Sequence, residues 1–543
     1  MQCYSGKSVY PGIAFGAAYL LKKKYFTVDE SPAEDARLEW ENFEEAKQAA
    51  DAELELLFNK TVKEIGEEEA AIIDVQRMIL DDEDFIEMIK VHIMDEAARA
   101  AHAVSLAGKY LHDTFTALED PYMKARAADF LDITQRLIRI LTGGKQEDFK
   151  FNGPSIVIAD DLSPSETVHM DKSMVRALII RHGSTNSHTA ILARTMKIPS
   201  LIQTDIPAGV ECGGCNAALD AHGGIFYIEP DEAATSRLIS LRDEDMKEEA
   251  ELEKQRGLPT VAKDGKKINL FANINGPQDL EAALNNDAEG IGLFRSEFLY
   301  LSRENFPGEE EQFEAYRIVV QGMDGRPVII RTLDIGADKN IPYFGMAPEE
   351  NPALGMRAIR LCFERPNLFK TQLRAIYRAS AFGNVSIMFP MIASLWELMR
   401  CKEIAAQARE ELAAKGAAVG KVPLGIMIET PAAAIISDEL AREADFFSVG
   451  TNDLIQYTLA VDRQNEKLSS FFDPHHPALL KLMEMIADSA KRAGITAGIC
   501  GELAADASLI EKFLQMGYTE LSVAPGFIFK TRKKIRSISA AGQ

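Results

Sequence analysis

The sequence has no apolar run long enough for a secretory leader or a membrane span, beginning Met1-Gln2-Cys3-Tyr4-Ser5 with none following. The expected setting is the cytoplasm. Cysteine is scarce, six in 543 residues and most of them isolated, which excludes a disulfide framework and fits a reducing compartment. Only Cys212-Gly-Gly-Cys215 has a suggestive spacing; with no second ligand pair nearby, a plain turn outweighs zinc or redox chemistry. Basic charge is also short: 60 Lys and Arg stand against 83 Asp and Glu, a formal net charge of −23. Nucleic-acid binders concentrate cations to neutralise phosphates, so this balance argues against one and favours a basic protein partner.

What is present describes a folded, multidomain chain. Apolar residues make up 46% and charged residues 26%, ordinary for a globular protein, and the length divides into roughly three or four domains of typical size. The first twenty residues predict a short strand and a turn at Tyr10-Pro11-Gly12. From about Ser31 to Leu141 apolar residues recur at helical spacing with almost no proline or glycine, predicting an all-helical block. Acidic clusters inside it, Glu67-Glu68-Glu69 and Asp81-Asp82-Glu83-Asp84, adjoin Met78-Ile79-Leu80 and read either as solvated helix ends or as a docking surface. After Gly143-Gly144, short β-branched runs at 156–158, 178–180 and 225–228 predict a compact α/β domain ending near Pro230. A charged helical stretch from about Asp231 to Arg256 reads as a connector.

Eight strand-like segments then alternate with helical ones, at 268–272, 289–294, 327–333, 385–391, 422–429, 445–450, 495–500 and 519–523. That is the count of a (β/α)8 barrel, whose active site is built at the C-terminal ends of its strands. Five segments end on charged or reactive groups: Arg295, Arg331, Glu429, Asn452-Asp453 and Cys500. One such residue alone is usually a structural salt bridge. Convergence on one mouth changes that reading. Arg295, Arg331 and Arg463 suit a phosphate, which guanidinium forks bind bidentately. Glu429 and Asp453 suit a hard cation such as Mg²⁺. Cys500 is either a proton donor or a small buried hydrophobe.

Gly183-Ser184-Thr185-Asn186-Ser187-His188 precedes the apolar-periodic Thr189-Ala-Ile-Leu-Ala-Arg-Thr-Met, which places His188 at a helix N-terminus. There the helix dipole disfavours imidazolium, and free backbone N–H groups would receive a phosphate carried on the ring. A lone histidine at a helix start is commonly structural, so the assignment leans on the barrel residues.

Together these residues resemble the enzyme I family of the bacterial phosphoenolpyruvate:sugar phosphotransferase system. The likeness runs through Ser8-Val-Tyr-Pro-Gly-Ile-Ala-Phe-Gly16, Ser187-His188-Thr-Ala-Ile-Leu-Ala-Arg194, the surroundings of Arg295 and Arg331, Asn351-Pro-Ala-Leu-Gly-Met-Arg357, Glu429, Gly450-Thr-Asn-Asp453 and Cys500-Gly-Glu-Leu-Ala504. The resemblance implies a multidomain α/β fold. A swivelling α/β phosphohistidine domain (1–20 and 145–230) would carry an inserted all-α domain (21–144) that docks the phosphocarrier protein HPr. A linker helix (231–260) would lead to a phosphoenolpyruvate-binding, dimerising (β/α)8 barrel (261–543). It further implies that Arg295, Arg331, Arg463, Asn452 and Asp453 contact phosphoenolpyruvate and that Glu429 and Asp453 hold Mg²⁺. Cys500 would protonate the enolate as pyruvate leaves. His188 would be phosphorylated and pass the group to HPr, the first step of sugar uptake, in a homodimer without nucleic-acid or membrane partners.

Three departures qualify the likeness. The family usually reads Gly-Gly-x-Thr-Ser-His where this chain has Gly183-Ser184-Thr185-Asn186-Ser187-His188, which bears on transfer rate. Asp74-Val75-Gln76 stands where a histidine is common. Around Ser522-Val-Ala-Pro-Gly526 the sequence is less typical, and the final barrel helix is expected to be short or missing. A pyruvate phosphate dikinase or phosphoenolpyruvate synthase reading shares the histidine and the barrel but needs a nucleotide-grasping domain, for which no glycine-rich phosphate loop is present. A regulatory paralogue with weak transfer is the other alternative.

Overall fold

Gly6 and Pro11-Gly12 interrupt the first twenty residues, and the result is three strands rather than the one expected: β1 (Gln2–Ser5), β2 (Lys7–Tyr10) and β3 (Ile13–Leu20), with Gly12 at φ 139°. The structure, a computed structural model, describes residues 1–541 except 22–25, 65–66, 118–120, 145–148, 150, 163–165, 167–169, 172, 184–187, 208, 211, 302, 304, 337–340 and 464. It divides into two compact units, Met1–Glu248 and Glu249–Gln543.

In the first unit, β1–β3 join β4 (Ser155–Ala159), β5 (Val175–Ile180), β6 (Ser200–Ile202), β7 (Asn216–Asp220) and β8 (Ile225–Ile228) in one sheet of order β1-β8-β7-β3-β4-β5-β6-β2. β1 and β2 form opposite edges yet are separated only by Gly6, so the sheet curls until its edges nearly meet. Between β3 and β4 run the helices α1 (Ala36–Glu64), α2 (Glu67–Leu80), α3 (Glu83–Met94), α4 (Ala100–Thr116) and α5 (Pro121–Leu141). Their core includes Phe43, Leu54, Ile89, Val104, Ile133 and Leu137.

Of the three apolar residues at the α2–α3 corner Met78 is strongly exposed, whereas Ile79 and Leu80 are buried in this core, so they cannot belong to a surface patch. Asp82 caps α3, accepting from Phe85 N–H at 2.9 Å, and Asp81 pairs with Lys47 at 2.8 Å. These acids stabilise helix ends. The side chains of Glu67, Glu68 and Glu69 lie outside the described residues. Gln76 is buried and donates to Asp132 at 2.8 Å. Cys212-Gly-Gly-Cys215 is a turn closed by a 3.0 Å bond from Cys215 N–H to Cys212 O, with Gly214 at φ 83° and both thiols free. α6 (His188–Thr195) follows β5, and α7 (Glu232–Glu253), charged on nearly all sides, buries only Leu238.

The second unit closes β9 (Asn269–Ile274), β10 (Ile291–Arg295), β11 (Val328–Arg331), β12 (Val385–Phe389), β13 (Leu424–Ile428), β14 (Phe446–Val449), β15 (Thr496–Ile499) and β16 (Glu520–Val523) into an all-parallel barrel. Outward residues such as Ile330, Ile387, Phe447, Ile499 and Leu521 form one core with the surrounding helices, while Leu293, Ile329, Met388, Met427, Phe446 and Cys500 fill the interior. A final helix, Ile528–Arg536, is present although it has only nine residues. Its fully buried Arg532 anchors it, donating to Asp287 Oδ2 at 2.6 Å, Asp287 O at 2.7 Å and Thr260 Oγ1 at 3.0 Å.

One ionisable residue, Glu520, stands on the interior face at the N-terminal end of the barrel, partly exposed there. Its carboxyl lies across Gly498, where a Cβ would sit 2.8 Å from Oε1. Burial pushes it from an ordinary 4.5 to about 8. An acid raised in this way holds more protons folded than unfolded between those values, so its contribution to stability falls as pH rises from 4.5 toward 8. Thermal denaturation should therefore show wild type losing ground to Glu520→Gln as pH goes from 5 to 8; a wild-type-to-variant difference that stays constant over that range would contradict this.

Candidate active site

Residues two apart on a strand share a face, so each interior column of the barrel continues into whatever residue ends it. Ile329 leads to Arg331, Met427 to Glu429, Asn273 to Asn275 and Gly498 to Cys500. β10 shifts register between Ile291 and Phe294 and ends on Arg295. β14 is followed by Gly450 and then by the helix Thr451–Leu459, whose first turn carries Asn452 and Asp453. Apolar columns thus end in a ring of polar groups at the strands' C-terminal ends.

Charges alternate around that ring. Arg331, 8% exposed, donates through Nη2 to Glu297 Oε1, and its Nη1 lies 3.0 Å from Asp334 Oδ2. The other Asp334 oxygen accepts from Arg357 Nη2 at 2.9 Å, and Arg357 Nη1 stands 3.6 Å from Asp453 Oδ1. Arg463, more exposed, reaches to 3.9 Å from Asp453 Oδ2. Among the described residues Arg295 has no carboxylate at ion-pair distance, and it donates to Asn275 Oδ1 at 3.1 Å. Burial first, then Arg331, pulls its guanidinium below its ordinary value. For Arg357 burial acts downward too, but Asp334 and Asp453 outweigh it and raise the group.

Glu429 is 1% exposed and accepts from Met391 N–H at 2.7 Å. Burial, with Asp453 and Asp334 adding like charge, pushes it up to about 8 against the pull of Arg331 and Arg357. Its other oxygen sits where Gly450 has no side chain: a Cβ there would come within 2.7 Å. Asn452 and Glu502 bond reciprocally, Asn452 Nδ2 to Glu502 Oε1 at 3.1 Å and Glu502 N–H to Asn452 Oδ1 at 3.2 Å. Cys500 is buried, and burial chiefly holds its thiol at about 11 although the Ser448 hydroxyl and both nearby arginines lower it. It is protonated throughout the neutral range.

All the barrel residues singled out in the sequence gather at this mouth. His188 belongs to the other unit and is the first residue of α6. Its ring, and the loop residues Ser184-Thr185-Asn186-Ser187, lie outside the described residues. Thr189 next to it is buried and donates to Leu162 O at 3.0 Å. Sequence reasoning did not assign Glu297, Asp334 or Arg357 to the site. A usable signal was present, since Glu297 is two residues past Arg295 and Asp334 three past Arg331. Among the described residues no three His, Cys, Asp or Glu side chains cluster tightly enough to hold a metal by themselves.

Residues 249–540 match the family described as PEP-utilising enzyme, PEP-binding domain; residues 5–126 match the N-terminal domain and 151–224 the mobile domain of PEP-utilising enzymes. The phosphoenolpyruvate-protein phosphotransferase of Listeria monocytogenes is 39% identical over 97% of this chain and 92% of its own length. The chain belongs to the phosphoenolpyruvate-protein phosphotransferase family. Proteins of the same name from Priestia megaterium, 38% identical over 98% of this chain and 93% of their own, and from Bacillus subtilis, 37% over 99% and 95%, are similar to the same extent. In this phosphotransferase-family barrel no helix among the described residues is long and apolar enough to cross a membrane, and the same holds for the first unit.

Within the ring, Asp334 is the counter-ion shared by two guanidinium groups. Asp334→Ala leaves Arg331 and Arg357 buried without it and should cost about 3–5 kcal/mol, with Asp334→Asn in between. Chemical denaturation measures this; an unchanged midpoint for the alanine variant would show that the bridge carries no stability.

Proposed function

We propose that the chain transfers phosphate from phosphoenolpyruvate to His188 and then to a histidine of the phosphocarrier protein HPr. The observation that carries this reading is a buried ring of arginines and carboxylates surrounding a thiol that stays protonated. A phosphate entering the ring would meet Arg295, which has no ion-paired carboxylate among the described residues, together with Arg331 and Arg463. At about 4 Å each charge pair contributes about 1 kcal/mol in water and about 4 kcal/mol at an effective dielectric of 20, so a closed mouth grips phosphate firmly. Asn452 and Asp453, fixed in the first turn of their helix, contact the same substrate.

Phosphoryl transfer asks the protein for positioning and charge stabilisation rather than covalent rearrangement of its own groups. As the phosphorus–oxygen bond to the enol breaks, a bond forms from phosphorus to a ring nitrogen of His188. The enolate left behind takes the Cys500 proton at carbon 3 and departs as pyruvate. His188 at the start of α6 is favoured in its neutral, nucleophilic form by the positive end of the helix, and the same end favours the phosphorylated ring.

The donor set also fits Mg²⁺. Glu429 and Asp453 are buried acidic groups, Asp453 adding to the cost of ionising Glu429, and Asp453 Oδ1 accepts no hydrogen bond among the described residues. When bound, the cation would neutralise charge on the phosphate oxygens. Residues 21–144 are proposed as the HPr-docking domain, inserted in a phosphohistidine domain of 1–20 and 145–230. A linker at 231–260 joins it to a barrel at 261–543 through which the chain dimerises. The net charge of −23 suits a basic carrier, and the setting proposed is the cytoplasm, at the first step of sugar uptake.

Labelled phosphoenolpyruvate with Mg²⁺ tests the reading. Wild type should acquire acid-labile label, release pyruvate and pass label to HPr, while His188→Ala acquires none. Cys500→Ala should slow pyruvate formation by about 10²- to 10⁴-fold. Phosphoenolpyruvate binding without label on wild type would refute transfer and leave a binding protein.

A further inference from the structure

The reading of Cys500 as proton donor leaves its own resupply unexplained. Each turnover removes a proton from a thiol that is 2% exposed, and the next cannot begin until it is restored. The barrel interior below Cys500 is filled by Leu293, Ile329, Met388, Met427 and Phe446, none of which carries an exchangeable proton. Polar side chains break that lining on the Cys500 side: Asn273 and Ser522 bond to each other, Asn273 also donating to Cys500 O at 2.9 Å, and two more concern the thiol.

One is Ser448, 1% exposed, whose hydroxyl lies close enough to the Cys500 thiol to lower it and is left without a hydrogen-bond partner among the described residues, the thiol itself donating to Val449 O at 3.6 Å. The other is Glu520. Three adjacent strands hold these groups level, because Ser448 pairs with Gly498 and Gly498 pairs with Glu520 in the barrel register. All three positions face inward, and the middle one has no side chain. Glu520 occupies that space, its Oε1 2.8 Å from where a Cβ of residue 498 would lie. Adjacent strands are about 4.8 Å apart, so the distance left between carboxyl and hydroxyl is about what one water spans. At its other end Glu520 is partly exposed at the N-terminal end of the barrel, opposite the substrate mouth.

We propose that Glu520 and Ser448 form a relay that returns a proton from solvent at the N-terminal end of the barrel to Cys500 after each turnover. The inference rests on the proposed role of Cys500. The Glu520 O–H proton passes to the Ser448 oxygen, directly or through one water, as the Ser448 hydroxyl proton passes to the Cys500 thiolate. The Glu520 carboxylate then takes a proton from solvent. No oxidant, reductant or other co-reactant is required, and the carboxyl, held at about 8 by burial, is charged with its proton at neutral pH. An acid set into an apolar interior with no salt-bridge partner among the described residues is costly, and a relay gives that cost a purpose.

Rapid-quench kinetics with phosphoenolpyruvate, Mg²⁺ and excess HPr distinguish first from later turnovers. The first needs only the proton already on Cys500. Glu520→Gln should release its first pyruvate per subunit at a rate within about twofold of wild type, then settle to a steady rate at least tenfold lower, giving a burst that wild type lacks. Ser448→Ala should show the same separation. A steady rate equal to wild type in Glu520→Gln would overturn the relay, and so would a first turnover slowed as much as the later ones, which would mark a structural effect. A wild type that releases no pyruvate even once would instead overturn the proton-donor reading, and the relay with it.

Discussion

Asp334 stands between two guanidinium groups, 3.0 Å from one and 2.9 Å from the other, and much of the barrel mouth depends on that bridge. Arginines attract phosphate only if they remain close together without their substrate, and close together they repel. The alternation Glu297–Arg331–Asp334–Arg357–Asp453–Arg463 resolves this by interleaving each cation with a carboxylate. Among the described residues of this ring Arg295 lacks an ion-paired carboxylate, so it retains attraction for an incoming anion. Glu429 is a member of the opposite kind, an acid surrounded partly by acids, and the strain appears as its reluctance to ionise.

The ring is possible because the barrel separates its two faces so cleanly. Outward positions are apolar and interlock with helices; inward positions are mostly apolar below, with a few polar side chains such as Asn273, Ser448 and Glu520, and charged residues gather at the rim. This explains why the barrel was legible in the sequence. Its strands are buried on both sides, read as short β-branched runs, and fall within two residues of their expected limits. Arg331, Glu429 and Cys500 were visible because each directly ends such a run. Glu297 and Asp334 were missed because they sit in irregular segments after the strand, where only their closeness in sequence to Arg295 and Arg331 marks them off from ordinary surface acids.

The first unit was less readable for a related reason. Its opening strands are four and four residues long and half exposed, so no apolar periodicity distinguishes them, and Gly6 looks like part of a loop. The acids at the α2–α3 corner resembled a docking patch because sequence adjacency hides direction: Ile79 and Leu80 turn inward while Met78 turns out. Asp82 was legible as a cap, since an acid just before a helical run has that use whether or not a partner is nearby.

Cys500 carries one more consequence, for the chemical durability of the protein. Electrophiles and peroxides attack thiolates, and a buried thiol held near 11 offers almost none at neutral pH. Cys3, exposed near the start of the chain, is far easier to reach. Alkylating or oxidising reagents will therefore mark the molecule first at a residue outside the barrel unit, so loss of titratable thiol is a poor guide to loss of Cys500. Burial shields Cys500 from damage.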